Sequence, residues 1–322
     1  MHVENDADVG RVCRNGRLAQ WTGPRYTLAT LSKAGQEMHI CRTVADLRAV
    51  VASFRAAGET VGLVTTMGAL HAGHMQLVAE AKGAQDRVIA TIFVNPTQFG
   101  NPKDLETYPR TEAQDLDLLE KAGVSAVFMP TVGEMYPDGD QTIVETTGLA
   151  NVYHGLVRPG HFRGVATVVT KLLNIAGADA AYFGEKDYQQ LAVIRRLATD
   201  LHMPTRIVGV ATVREADGLA MSSRNVRLAA EDRAAAVCLN KSLIAAEQVA
   251  RAGGTVEAMS EAIRLTIMSE PRATLRAIDI VDAASFAPAS GAIIAPVGIM
   301  ISAEFGPADN PVLLIDQREI TP

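Results

Sequence analysis

The chain has 322 residues, 48% of them hydrophobic and 20% charged, with a formal net charge of −6. At about 150 residues per domain this length suggests two domains, and so much apolar content excludes disorder as the dominant state. The acidic balance argues against nucleic acid as a partner, which needs an extended basic surface, and leaves room for a local cationic pocket.

Residues 1–37 read as a poorly ordered N-terminal extension, rich in Gly, Arg, Asn and Thr without periodicity, and the opening MHVENDADVG lacks the apolar stretch of a signal peptide. From Met38 the pattern is organised. Thr43 can cap a helix whose Val44, Leu47, Val51 and Phe54 share one face, with Gly58 as its stop. VGLVT (61–65) reads as a buried strand, about 74–82 as a helix and 87–94 as a second strand. A helix over 112–123, a strand over 125–129, an all-round apolar helix over 165–177 and a strand over 180–183 follow, then a helix over 187–201 and a strand over 206–210. Such alternation predicts an α/β fold, a parallel sheet with helices on both faces, spanning 38–212. Beyond it, two long helices (229–252, 255–268) and three strand-like runs (276–283, 292–305, 311–316) predict a smaller α+β domain over 213–322. No run of about 18 apolar residues is present, so no membrane span is expected. Cys13, Cys41 and Cys238 lie far apart without CxxC spacing, so a disulfide framework is not expected and a cytoplasmic setting is the default.

Ligands of parallel α/β sheets gather at the carboxyl ends of strands. Thr66–His74 sits there, between the strand 61–65 and a helix. Gly68 and Gly73 allow close backbone approach, the helix start offers free N–H groups to phosphate, and His71 and His74 can donate to its oxygens. The same residues could form an ordinary turn with two satisfied histidines. A zinc reading lacks a third ligand at useful spacing and the HExxH pattern. The next junction carries Gly184, Glu185, Lys186 and Asp187: a point charge for phosphate and a ribose or helix-cap carboxylate, or else a solvated loop. Gly218 through Met221, Ser222, Ser223 and Arg224 to Asn225 offers compact donors for a polyphosphate, or turn chemistry. In FVNPTQFG (93–100), uncharged Asn95 and Gln98 at a strand end suit a hydroxylated, carboxylated small molecule, with Tyr108 beyond. Gln190, one turn into the following helix, can face the same cavity, and RPGHFRG (158–164) adds Arg158 and Arg163. Each motif alone has a plain structural reading; their shared position at strand ends points to one site.

Taken together, MGALHAGH, FVNPTQFG, YPR, RPGHFRGV, FGEKDYQQL and DGLAMSSRN, in this order between Met38 and Arg224, resemble the pantoate–β-alanine ligase family. The resemblance implies a Rossmann-like nucleotide-binding catalytic domain, a small C-terminal domain and a homodimer. It implies Mg²⁺- and ATP-dependent joining of (R)-pantoate and β-alanine through a pantoyl adenylate, releasing AMP and pyrophosphate, with no nucleic-acid or membrane partner. By position, Met67, Gly68, Ala69, Leu70, His71, Ala72, Gly73 and His74 would form the ATP loop, with His74 as proton donor. Gly184 to Asp187, Val213 and Met221 to Arg224 would also contact ATP. His71, His74, Lys186, Ser222, Ser223 and Arg224 would carry catalysis by neutralising phosphate charge. Gln98, Gln190, Asn95, Tyr108 and Arg158 would line the substrate pocket, and Asp115 would contact the metal, although Gln114 precedes it where the family commonly has an acid. Two rival readings share the histidine loop: a sibling transferring AMP to a phosphate or ribosyl acceptor, and a non-catalytic nucleotide binder that releases no pyrophosphate.

The lack of periodic apolar positions before Met38 has a measurable consequence. Removing residues 1–37 should leave activity unchanged and Tm within about 5 °C, because little core is lost. A larger fall in a thermal melt would show that the segment packs on the body.

Overall fold

The computed structural model describes residues 37–100 and 102–322, which belong to one compact unit. Apart from residue 37, the reading of an N-terminal extension lies outside them. Six strands form one parallel sheet: β1 (His39–Cys41), β2 (Val61–Thr66), β3 (Arg87–Ile92), β4 (Ala126–Phe128), β5 (Ala180–Gly184) and β6 (Arg206–Val210), in the order β1-β4-β3-β2-β5-β6. The apolar runs are continuous because each strand feeds two cores. Val61, Leu63, Ile89, Phe128 and Ala181 face one side, under the helices Val44–Ala56, His161–Ala176 and Tyr188–Asp200. Val64, Val88, Ala90, Val127 and Tyr182 face the other, with Leu77 and Val78 of the helix Ala72–Ala84. Period-two alternation thus splits one hydrophobic word between two layers.

Local signals set the helix ends. Thr43 Oγ1 accepts from Asp46 N at 3.1 Å and Asp46 Oδ2 accepts from Thr43 N at 3.0 Å, a reciprocal cap worth about 1 kcal/mol. The helix expected over 165–177 starts earlier, at His161, because Gly160 takes a left-handed conformation (φ 80°) that turns the chain into it. The strand order reverses between β2 and β5, and a crevice opens there at the carboxyl ends of both.

The chain then builds an antiparallel sheet from β7 (Ala273–Asp282), β8 (Val297–Phe305) and β9 (Val312–Ile320), with β8 central. Ile299, Ile301 and Ala303 pack with Leu239, Leu243, Met259 and Ile263 of the helices Cys238–Arg251 and Val256–Met268. The strand expected over 292–305 begins only at Val297, since Pro296 cannot donate to a ladder and Ile294 is exposed. The helix expected over 229–252 breaks at Ala236–Val237, a turn that no Gly or Pro marks. β1 has three residues, too short for a periodic signal. No helix among the described residues is long and apolar enough to cross a membrane.

Tyr188, next to the Gly184–Asp187 loop, joins the parallel sheet to the antiparallel one. Its hydroxyl donates to Glu319 Oε2 at 2.9 Å and its ring stacks on Phe286 at 5.7 Å. The ring packs against β8 at Gly298, where a Cβ would collide with it. The loop that carries Lys186 is in this way braced from the second sheet.

Candidate active site

The turn after β2 is fastened from below. Thr66 Oγ1 donates to Thr91 O at 2.7 Å and accepts from Gly68 N at 3.2 Å. Gly68 and Ala69 then both take positive φ, 84° and 50°, which for Ala costs about 1–2 kcal/mol. Asp115 offsets that cost. Its carboxylate is 1% exposed and accepts from Ala69 N (3.0 Å), Leu70 N (2.8 Å) and Thr111 Oγ1 (3.1 Å). Asp115, expected at the metal, is thus occupied inside the fold as the anchor of the loop.

The turn delivers both histidines with defined tautomers. His71 caps the helix Ala72–Ala84, its Nδ1 accepting from Gly73 N at 3.1 Å, and His74 Nδ1 accepts from His71 N at 3.3 Å. A neutral imidazole with its lone pair at Nδ1 carries its hydrogen on Nε2. Burial, then the charge of Lys186, lowers the pKa of His71; burial, then His71, pushes that of His74 down to about 3. Both rings are neutral Nε2–H donors at neutral pH. With both Nδ1 atoms engaged by backbone N–H groups, the pair is poorly set for zinc, and the described residues contain no group of three His, Cys, Asp or Glu able to hold a metal.

Across the crevice, Lys186 and Asp187 follow β5. Both line the cavity, and their side chains have no hydrogen-bond or ion-pair partner among the described residues. The third wall is the segment after β6. Arg214 makes a two-pronged ion pair with fully buried Asp316 of β9 (2.7 and 2.9 Å) and donates to Gly218 O at 3.1 Å. Asn225 Nδ2 donates to Glu215 Oε1 and Ala220 O, each at 3.1 Å. These struts present Met221, Ser222, Ser223 and Arg224 to the cavity.

The fourth wall is the Asn95–Gln98 turn. Asn95 is 1% exposed. Its Oδ1 accepts from Tyr136 Oη (2.8 Å), Thr97 Oγ1 (3.0 Å) and Thr97 N (3.3 Å), and its Nδ2 donates to Gln98 Oε1 (3.0 Å) and Gly164 O (3.2 Å). Asn95, expected in the substrate pocket, lines the cavity, and its amide hydrogen bonds to the protein fix Gln98. Among the described residues, Gln98 Nε2 donates only to Met67 Sδ at 3.1 Å, a weak acceptor that a substrate oxygen would outcompete. Gln190 lines the same cavity without a hydrogen-bond partner among the described residues.

One cavity thus gathers Met67, His71, Gly73, His74, Asn95, Gln98, Tyr108 and Arg158 with Gly184, Lys186, Asp187, Gln190, Val213 and the 221–224 run. Gly68, Ala69, Leu70, Ala72 and Glu185 do not line it; they shape the two turns. Sequence reasoning missed the apolar floor of Val165, Val168, Val169, Leu172 and Phe183, which read only as core, and His161, hidden within a motif read for its arginines.

A parallel sheet with a phosphate-suited crevice at its switch point defines a nucleotide-using α/β enzyme. The sequence profile described as pantoate-beta-alanine ligase matches residues 39–319, and the chain belongs to that family, whose reaction is the ATP-dependent ligation of pantoate and β-alanine. It is 59% identical over 224 residues to a pantothenate synthetase of Cereibacter sphaeroides, covering 69% of this chain and 80% of that one. To one of Agrobacterium fabrum it is 48% identical over 284 residues, covering 88% and 96%. Among solved structures, the pantothenate synthetase of Thermus thermophilus superposes with a TM-score of 0.83 at 44% identity, covering 88% of this chain and 100% of that one. The Francisella tularensis ligase, solved with Beta-gamma ATP and β-alanine, gives 0.71 at 34% identity, covering 88% and 97%.

Two consequences follow from the buried groups. Asp115→Asn places an amide against backbone N–H groups and should cost about 1.5–3 kcal/mol, with a raised KM for ATP; an unaltered melt and KM would remove the anchor role. His74 is neutral down to a pKa of about 3 and His161 down to about 4, whereas unfolded histidines titrate near 6.5. The unfolded chain therefore binds more protons in between, and stability should fall as pH drops below about 6.5, by up to about 1.4 kcal/mol per pH unit per histidine. Denaturant midpoints at pH 7 and 5 measure this, and His74→Gln should reduce the slope.

Proposed function

We propose that the crevice between β2 and β5 runs the ligation in two steps, with the residue roles that the geometry favours. The carrying observation is the convergence of two neutral Nε2–H donors with Lys186, Arg158 and Arg224 beside the Gln98–Gln190 amides and an apolar floor. A carboxylate is a poor electrophile because its leaving group would be oxide. In the first step a pantoate carboxylate oxygen attacks the α-phosphorus of ATP; that O–P bond forms, the bond to the β-phosphate bridge breaks, and pyrophosphate leaves. His71, His74, Lys186, Ser222, Ser223 and Arg224 meet the charge growing on the phosphates. His74, neutral throughout, serves as a hydrogen-bond donor rather than a cationic acid. In the second step the deprotonated amine of β-alanine attacks the acyl carbon, the new C–N bond forms as the C–O bond to AMP breaks, AMP leaves, and the nitrogen gives up one proton to solvent. No acyl-enzyme is needed: Cys41 and Cys238 are buried away from the site, and among the described residues neither serine of the 222–223 pair is hydrogen-bonded to a histidine or carboxylate.

Gln98 and Gln190 hold pantoate oxygens, while the Val165–Leu172 floor keeps water from the anhydride. Mg²⁺ would enter with the phosphates, needing one or two carboxylates from the protein. Asp187, which faces the cavity unpaired, fits that need better than Asp115. The bound ion would neutralise phosphate charge. Residues 38–212 would bind nucleotide and 213–322 would close the site through the 221–224 run, in a cytoplasmic homodimer.

Lys186→Ala should lower kcat at least about 10²-fold with the melt unchanged, the usual cost of one preorganised charge contact. Steady-state rates retaining more than about a tenth of wild type would remove Lys186 from catalysis. Gln98→Ala should raise the KM for pantoate roughly tenfold or more and leave that for ATP nearly constant. A change confined to ATP would misplace the pocket.

A further inference from the structure

His161 opens the helix His161–Ala176 and is 9% exposed. Its Nδ1 lies 2.8 Å from the main-chain oxygen of Gln98, and its Nε2 lies 3.1 Å from Nη1 of Arg158. A carbonyl only accepts and a guanidinium only donates. Both contacts are hydrogen bonds only if the ring is neutral, with hydrogen on Nδ1 and the lone pair on Nε2. The opposite tautomer loses both bonds, and the imidazolium loses the one to Arg158. This assignment is the reverse of that at His71 and His74, whose Nδ1 atoms accept.

The two ends of the bridge matter for different reasons. Arg158 lies near Arg224 on the cavity wall, and the like charges repel. His161 is the side-chain acceptor that the Arg158 guanidinium has among the described residues. At the other end, Asn95 orients the Gln98 side chain but leaves its carbonyl free for His161. The helix approaches this turn so closely that a Cβ on Gly164 would sit 2.5 Å from Thr97 O. Burial, then Arg158, hold the imidazole pKa down at about 4; the hydrogen bond to the Gln98 carbonyl and then Asp187 oppose that shift, and Arg224 adds to it.

We propose that His161 is a positioning residue, a neutral bridge that sets the spacing between Arg158 and Gln98 and so shapes the pantoate pocket. This rests on the assignment of Gln98 to pantoate given above, with Arg158 lining the same cavity.

Two measurements test it. In ¹⁵N-histidine-labelled enzyme, the His161 resonances, assigned by their loss in His161→Gln, should show a protonated Nδ1 and a bare Nε2 at pH 7. A protonated Nε2 overturns the proposal. In steady-state assays, His161→Leu should raise the KM for pantoate by about tenfold, the scale of one lost hydrogen bond to a charged group, and leave that for ATP within about threefold. His161→Gln, whose amide oxygen can reach Arg158, should recover much of that loss. Equal shifts for both substrates, or no recovery by Gln, overturn the proposal. Should His161→Leu fail to fold in a circular dichroism melt, the wild-type resonances and the His161→Gln kinetics decide. If Gln98→Ala shifts the pantoate KM and His161→Leu does not, the bridge falls and the pocket stands; if neither shifts it, both fall.

Discussion

A buried carboxylate holding two backbone N–H groups sets the geometry on which the site depends. Asp115 accepts from Ala69 and Leu70 just where the chain leaves β2 through two positive-φ residues. That turn decides where the next helix starts. The helix start places His71 as its cap, and the cap forces the lone pair of His71 onto Nδ1, so its N–H points outward. His74 repeats the logic through the backbone N–H of His71. Through its hold on this turn, Asp115 influences which ring atoms of the two histidines face the crevice.

The site divides its labour between neutral and charged donors. Neutral imidazoles add no further positive charge beside Lys186, Arg158 and Arg224; Lys186 disfavours protonation of His71, and Arg224 lowers the pKa of Arg158. Asp187 supplies the opposing charge. Cavity-lining groups are in turn held by hydrogen bonds within the protein: Asn95 holds Gln98, and Asp316 holds Arg214 beside the 221–224 run. Preorganisation of this kind lets donors act on developing charge without rearranging.

Much of this was legible in the sequence. Five of the six parallel strands announce themselves as short apolar runs, and the Gly- and His-bearing turns fall at their ends because a parallel sheet puts them there. Asn95 and Asp115 were legible as candidate site residues, but the hydrogen bonds they make within the protein were not, since a residue's type does not tell which backbone groups its polar atoms meet. His161 stayed hidden for the same reason: nothing in RPGHFRG says that a carbonyl and a guanidinium flank its ring. The break at Ala236–Val237 carries no Gly or Pro and so left no mark.

The proposed order of events, activation of pantoate on ATP before the amine takes part, is tested most directly by exchange of labelled pyrophosphate into ATP, measured with pantoate and no β-alanine. Exchange is expected under those conditions, and none when pantoate is withheld. Exchange that strictly requires β-alanine would contradict that order and point to a concerted route.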